Sequence, residues 1–549
     1  MKNRDSIMKK NTFLNGAFIT ALGIIITKSL GIIYVIPFHS LIGEDGGALY
    51  GYAYTVYTFI ISLSSAGIPL AISRIVSEYQ TLGYYKAKKR AFILAKRISI
   101  ILGVLFFLIM MLFAPIIAKS ILGDISGGNT IQDVSFVIRV ISSAILIVPL
   151  LSIYRGYFEG HRFMSPPSIS QVIEQLFRVT LILLGSYVSM KVFKLDLSTT
   201  IGVALFGTVL GAFMSYVYLV DKMLKNKSKF NEKVREVNEP IITNKTIIKK
   251  ILLYAFPFIM IDFGKSLYSY IDMVTVVKGL VNFASYNIKD AEAIYSMLST
   301  WTAKFNMVVL SLSTGIVVSL VPILTENIVK KDYYEVNRKI IQALNVLLFL
   351  TIPITLGISF LSKPIWGMFY GDSLYGPSVL SYNIFVGLFT SLFTALVVTL
   401  MALKDYKSVF ISLFTGVILK LLLNVTLLIT FNKMSLPPYY GVITATIIGY
   451  FVSFIICLLI LKFKYNIVFE DTIKNFINII CASILMFIVL FIFKLFIPIT
   501  STSRLYNLLI IIVYGIIGSI TYFAYSYFSG LLYGIFENKL FKYLKKIKK

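Results

Sequence analysis

A lysine in the middle of a long apolar run is an anomaly with a chemical meaning. Lys28 lies in Thr27-Lys28-Ser29-Leu30, inside an apolar stretch from about residue 13 to 38. Lys265 lies in Lys265-Ser266-Leu267, inside a second stretch from about 247 to 277. An ammonium at the centre of a bilayer costs at least a few kcal/mol, so each should face a polar cavity or a partner. In such a cavity a lysine is a point-charge binder for an anion, a phosphate above all. Lys28 has no carboxylate in its own span, which makes it the better candidate for an anionic substrate. Lys265 shares its span with Asp262 and Asp272. Seven residues separate Lys265 from Asp272, about 20° off a whole number of turns, so both lie on one stripe; Asp262 is offset by about 60°. Two readings stay open for this trio. One is an internal ion pair that holds the bundle. The other is a cavity cation whose carboxylates tune it or bind a coupling ion, Na+ or H+. Lys304 and Arg139 join the substrate-binding candidates as further cations within spans.

The most distinctive polar stretch is Arg155-Gly156-Tyr157-Phe158-Glu159-Gly160, followed by Pro166-Pro167 and by Ser170 to Arg178. Glu174 and Arg178 are four residues apart, with Gln171 on the same helix face. Pairing lets both ions into a bilayer at tolerable cost, so Arg155, Glu159, Gln171, Glu174 and Arg178 read as a structural ion-pair motif. Gly67 with Pro69, and Gly315 with Pro322, read as hinges or as inert kinks, since proline frees a backbone carbonyl. No nucleophile–base pair stands out, and the chain does not read as an enzyme. Gly264-Lys265-Ser266 looks like the end of a phosphate-binding loop, but Ile259 stands where its leading Gly should be, and the segment is mid-span. Two cysteines, Cys457 and Cys481, and two histidines, His39 and His161, argue against a disulfide framework, a metal site or a cofactor.

These residues must be positioned by membrane-spanning helices. The chain is 57% hydrophobic and 14% charged, far less charged than a soluble protein of its size. Apolar runs recur at about 13–38, 49–72, 91–118, 134–154, 169–190, 198–220, 248–274, 298–324, 338–362, 378–402, 408–430, 440–461, 475–497 and 506–530. Each is long enough to cross, so the expected fold is an all-α polytopic membrane protein of fourteen transmembrane helices. With the N-terminus inside, 37 Lys and Arg fall in inner segments and 8 in outer ones, which places both termini in the cytoplasm. The net charge of +27 therefore reflects cytoplasmic loops rather than nucleic-acid binding. The basic start is followed by too long an apolar run for a cleaved signal, and reads as preceding a retained first span. The tail Lys545-Lys546-Ile547-Lys548-Lys549 reads as a solvated end near anionic lipids.

The second half echoes the first. Ser64-Ser65-Ala66-Gly67-Ile68 resembles Leu312-Ser313-Thr314-Gly315-Ile316, each leading to a glutamate (Glu78, Glu326) and a Tyr-Tyr pair. Six spans separate the copies, and an even number gives parallel repeats about an axis along the membrane normal. The expected divisions are an N-lobe at 1–220, a basic cytoplasmic linker at 221–246, a C-lobe at 247–462, and two extra helices with a basic tail at 463–549. The outer loop at Val277–Glu292 is expected to be longer than its counterpart.

The chain resembles the multidrug/oligosaccharidyl-lipid/polysaccharide exporter superfamily. Within it the nearest group looks like the stage V sporulation protein B/YtgP branch, related to MurJ-type lipid II flippases. The resemblance rests on Lys28-Ser29-Leu30-Gly31 with Tyr34 and Pro37, on Gly43, Leu49 and Tyr50, on Ser64 to Ser73, and above all on Arg155 to Arg178. It implies two six-helix lobes around a V-shaped central cavity, with two added C-terminal helices, in a bacterial cytoplasmic membrane. It also implies transfer of an undecaprenyl-pyrophosphate-linked glycan or muropeptide, lipid II foremost, from inner to outer leaflet by alternating access. Cations of the first, second and eighth spans meet the pyrophosphate in that group, and Lys28 matches the first. The chain departs from the pattern at Tyr34 and Val35, where MurJ-type proteins carry an Arg-Asp pair, and at Leu63-Ser64-Ser65, where an arginine is missing. Another lipid-linked polysaccharide is therefore an alternative substrate. A cation-coupled multidrug exporter and a non-transporting scaffold of the sporulation envelope are further alternatives. Anionic lipids and cell-wall synthesis proteins are the expected partners of a monomer, and membrane potential, Na+ or H+ the expected driving force.

Overall fold

The computed structural model describes residues 13–65, 67–123, 127–230, 239–499 and 503–536. The basic start, part of the linker at 231–238 and the Lys-rich tail lie outside the described residues. Regular structure among the described residues is helical throughout. In chain order it comprises α1 (Phe13–Ile33), α2 (Val35–Ser64), α3 (Ile68–Leu82), α4 (Tyr85–Leu122), α5 (Ile131–Ser142), α6 (Ala144–Gly160), α7 (Ser165–Thr180) and α8 (Leu197–Lys225). A short α9 (Lys227–Phe230) precedes α10 (Asn244–Ala284) and α11 (Ile288–Ser296). Then follow α12 (Thr302–Val329), α13 (Tyr333–Phe360), α14 (Ser362–Phe369), α15 (Gly376–Ala402), α16 (Tyr406–Lys433), α17 (Pro438–Tyr465), α18 (Glu470–Phe496), α19 (Arg504–Phe528) and α20 (Leu531–Phe536).

Among the described residues, 12 helical runs are long and apolar enough to cross a membrane by length and composition. The remaining two expected spans fall on α1 and α10. The chain is thus an all-α, multi-pass membrane protein, but among the described residues its helix boundaries differ from the apolar runs in several places. The expected second span is divided at Gly67 (φ +76°), which turns the chain into α3, and Gly43 (φ +65°), ahead of that span, is non-helical inside α2. Glycine adopts these left-handed values without a Cβ penalty. The expected long loop at Val277–Glu292 is largely helical instead, taken up by the end of α10 and the start of α11. The fifth expected span leaves α-helical geometry at Leu181–Gly185 and Val188–Val192, which are π-helical turns.

By internal contacts the chain forms two compact units. One comprises residues 1–278 and 287–296, the other 279–286 and 297–549. In the first unit, α3 lies on α6 and α4, and α7 on α8 and α1. The spacing of small residues sets these approaches. A Cβ on Gly156 would stand 2.3 Å from the Pro69 carbonyl oxygen, and one on Gly160 2.7 Å from that of Ser73. The same device draws α8 onto α7, where a Cβ on Gly211 would stand 2.4 Å from the Glu174 carbonyl. Aromatic rings fill the base of this unit, with Phe230 set against Tyr157, Phe158, His161 and Phe163.

In the second unit α15 packs on α12 and α17, and α17 on α16. The last helices attach to α13: α18 lies along it, and the Tyr522 hydroxyl of α19 donates to the Phe349 carbonyl at 2.8 Å. Pro353 lies inside α13, four residues after Phe349, and cannot donate to that carbonyl. Asp405 caps α16, accepting from Ser408 and from Lys464 at 2.7 Å and Tyr465 at 3.1 Å. Burial would push the Asp405 carboxyl up, but these donors outweigh it and hold it below its usual range.

Candidate functional site

The polar residues of the first unit gather chiefly along α7 and the helices around it. Gly207 and Gly211 bring the α8 backbone against Arg178 and Glu174. Ser215, one turn further along α8, donates to the Ser170 carbonyl at 2.8 Å. On this frame Glu174 accepts from two arginines at once: Arg178 Nη2 at 2.6 Å and Arg155 Nη2 at 2.8 Å. Arg155 also donates through Nε to Ser170 Oγ at 2.9 Å and through Nη2 to Ser215 Oγ at 3.1 Å. The i,i+4 pair of Glu174 and Arg178 is present, but the carboxylate is shared with an arginine from the preceding helix, a contact that no local spacing encodes. Gln171 is half-buried on the same helix, and Glu159 is an electrostatic neighbour of Arg155.

Lys28 is half-buried on α1 and forms no hydrogen bond or ion pair among the described residues. Its helix packs on α7, with Gly23 at Ser168 and Gly31 at Gln175. Lys265 is half-buried on α10, beside Asp262 but without a direct ion pair among the described residues. The adjacent Ser266 meets Ser62 of α2 at 3.2 Å, and Phe59 of α2 stacks on Tyr270 at 4.6 Å. So the two lysines stand on different packing pairs, one against α7 and one against α2. Asp262 is exposed and Asp272 half-buried, as is Lys304 on α12.

Arg139 has a different surrounding. It is exposed at the last turn of α5 and donates through Nε to the Met111 carbonyl at 3.3 Å. Pro115, four residues on in α4, leaves that carbonyl without its helical donor. Lys420, a further cation within a span, is fully buried between α16 and α17, where it donates to Asn424 at 3.3 Å and to Thr446. Gly67 and Pro69 sit at a break enclosed on both sides: an added Cβ at Gly67 would meet the Ala255 carbonyl of α10 at 2.6 Å, while Pro69 abuts Gly156. Gly315 and Pro322 lie within the unbroken α12, and a Cβ at Gly315 would meet nothing within 4 Å.

Sequence reasoning passed over a second polar site. A cavity of about 310 Å³ in the first unit is lined by Asp45, Asp133, Asp196, Lys289 and Glu292. Glu292 is buried and accepts from both the backbone and the side-chain amide of Asn129, each at 3.0 Å. Hydrogen bonds from Ser198 and Thr199 hold the Asp196 carboxyl down at about 2. Among the described residues no three His, Cys, Asp or Glu side chains gather as a metal site requires.

The profile of the family described as polysaccharide biosynthesis protein matches residues 13–328, more than half of the chain. The chain belongs to this family. It is 33% identical over 400 residues to the lipid II flippase MurJ of Bacillus subtilis (strain 168), covering 72% of this chain and 73% of that one. Against stage V sporulation protein B of the same organism it is 30% identical over 175 residues, 32% of each chain. The MurJ-type relative matches over more of the chain than the sporulation protein does. In fold it is similar to a solved structure of lipid II flippase MurJ in an inward-closed conformation, with a TM-score of 0.69 and 17% identity over 94% of this chain and 99% of that one. Its 33% identity to a flippase classes it with transporters rather than with catalytic enzymes.

Proposed function

We propose that the protein is a flippase that moves an undecaprenyl-pyrophosphate-linked envelope precursor, lipid II foremost, from the inner to the outer leaflet by alternating access. The observation that carries this reading is the 33% identity over 400 residues to a lipid II flippase. Lys28 supports it from the physical side: an ammonium half-buried in a span, without a partner among the described residues, suits a pyrophosphate. Lys265 is the second cation of the path, tuned by Asp262 with Asp272 on the same helix, and Lys304 of the other unit is a separate substrate-binding candidate. A fourteen-span arrangement with lobes at 1–220 and 247–462 and both termini inside accompanies this reading.

The polyprenyl tail has a candidate seat as well. In the second unit an apolar cavity of about 350 Å³ lies among α13, α14, α18 and α19, lined by Phe349, Leu361, Met486, Leu490 and Tyr514. Another lipid-linked polysaccharide is the second reading, favoured by the description of the matching family.

The test is a leaflet-accessibility assay for lipid II in cells depleted of this protein and of any redundant flippase. Outer-leaflet lipid II should fall on depletion; an unchanged level would overturn the lipid II reading. Lys28→Ala and Lys265→Ala should each abolish complementation at normal membrane abundance, and full activity of both would remove them from the substrate path.

A further inference from the structure

The two arginines that share Glu174 are not equivalent. Arg155 is tied down on two nitrogens, by Ser170, Glu174 and Ser215. Arg178 spends one nitrogen on Glu174, and its Nε is buried without a hydrogen-bond partner among the described residues. Guanidinium has five N–H donors in a fixed fork, so Arg178 keeps an unspent donor edge. One carboxylate between two guanidiniums leaves the trio with a net charge of +1. Glu159, the next carboxylate, lies on the Arg155 side and makes no ion pair with Arg178 among the described residues.

The surroundings fit an anion rather than a sealed core. The side chains of Arg155, Glu174 and Arg178 are 16%, 16% and 18% exposed, and they lie on helical runs long and apolar enough to cross a membrane. Partly exposed charge on such helices is costly against hydrocarbon, which favours a polar, watered surrounding. Tyr50, Tyr54 and Tyr57 of α2 are electrostatic neighbours of Arg178. Tyr50 and Tyr54 stack at 5.6 Å, and Tyr54 and Tyr57 follow at 5.7 Å, so phenol groups line the approach. The close contact of Gly207 and Gly211 with the α7 backbone fixes the trio in place, which is the preorganisation an anion site needs.

We infer that Arg178, positioned by Glu174 and Arg155, is a substrate-binding residue that takes a phosphoryl oxygen of the lipid-linked pyrophosphate on its unspent N–H edge. This deepens the flippase reading and rests on it for the identity of the ligand. Arg155 is on this account a positioning residue.

The test uses the full chain in nanodiscs, with undecaprenyl pyrophosphate and inorganic pyrophosphate as separate probes. Arg178→Gln removes the donor edge, and Glu174→Gln with Arg178→Gln removes it while leaving no uncompensated carboxylate. Both should weaken binding of undecaprenyl pyrophosphate by about tenfold or more, with Arg178→Lys intermediate, while the double variant keeps the wild-type unfolding temperature. Wild-type affinity in the double variant would overturn the site and leave the flippase reading standing. Wild-type protein that ignores undecaprenyl pyrophosphate but binds inorganic pyrophosphate through Arg178 would overturn the flippase reading and keep the site.

Discussion

Met111 and Pro115 explain why a charged residue within a span need not serve a substrate. The proline withholds the N–H that would close on the Met111 carbonyl, and Arg139 of α5 supplies the donor from outside the helix. Arg139→Met should therefore cost about 1–2 kcal/mol of stability, measured by thermal unfolding in detergent. Adding Pro115→Ala should recover most of that loss, because alanine restores the helical donor; no recovery would show that Arg139 acts elsewhere. The sequence presents Arg139, Lys28 and Lys265 alike, as cations in apolar runs. What separates them is the partner, and a partner 28 residues away across a helix interface leaves no periodic trace. The Glu174–Arg178 pair was legible because it is local, whereas the Arg155 arm was not, since it depends on how α6 meets α7.

Helix ends and helix approaches were legible to different degrees. The apolar runs marked where helices lie, because burial in lipid requires about 20 apolar residues whatever their order. They could not mark Gly67 as a break, since a glycine in an apolar run looks the same whether it bends the chain or merely lets another backbone near. Here it does both, with φ at +76° and the Ala255 carbonyl against it. Asp405 is the most informative helix end. Its carboxyl is held below the usual aspartate range, so the stability it adds is fully present above the unfolded pKa of about 3.9 and is lost as pH falls through the lower folded value. Asp405→Asn should lower stability at neutral pH by about 1 kcal/mol, and the gap to wild type should close as the pH drops below about 4. A gap that stays constant down to pH 2 would mean that the ionised carboxylate is not what holds α16 to the end of α17.

For the molecule as a whole, the strongest sequence signal is the asymmetry of Lys and Arg, 37 against 8. It predicts that tags on both termini react only with reagents that reach the cytoplasm; labelling of either from outside intact cells would overturn the topology. The repeat was legible as short echoes, yet α2 and α3 break at Gly67 while α12 runs on through Gly315 and Pro322. Related sequence thus supports different helix geometry, because the break depends on what packs beside it. The proline carbonyls carry a consequence for synthesis. Met111 gains its donor only 28 residues later in the chain, soon after its own helix enters the membrane. Phe349 must wait 173 residues, until Tyr522 of α19 has been made. Until then α13 enters the bilayer with an exposed carbonyl beside Pro353. A ribosome that stalls before the last helix would leave a nascent protein marked at that point, open to surveillance proteases that a finished chain would escape.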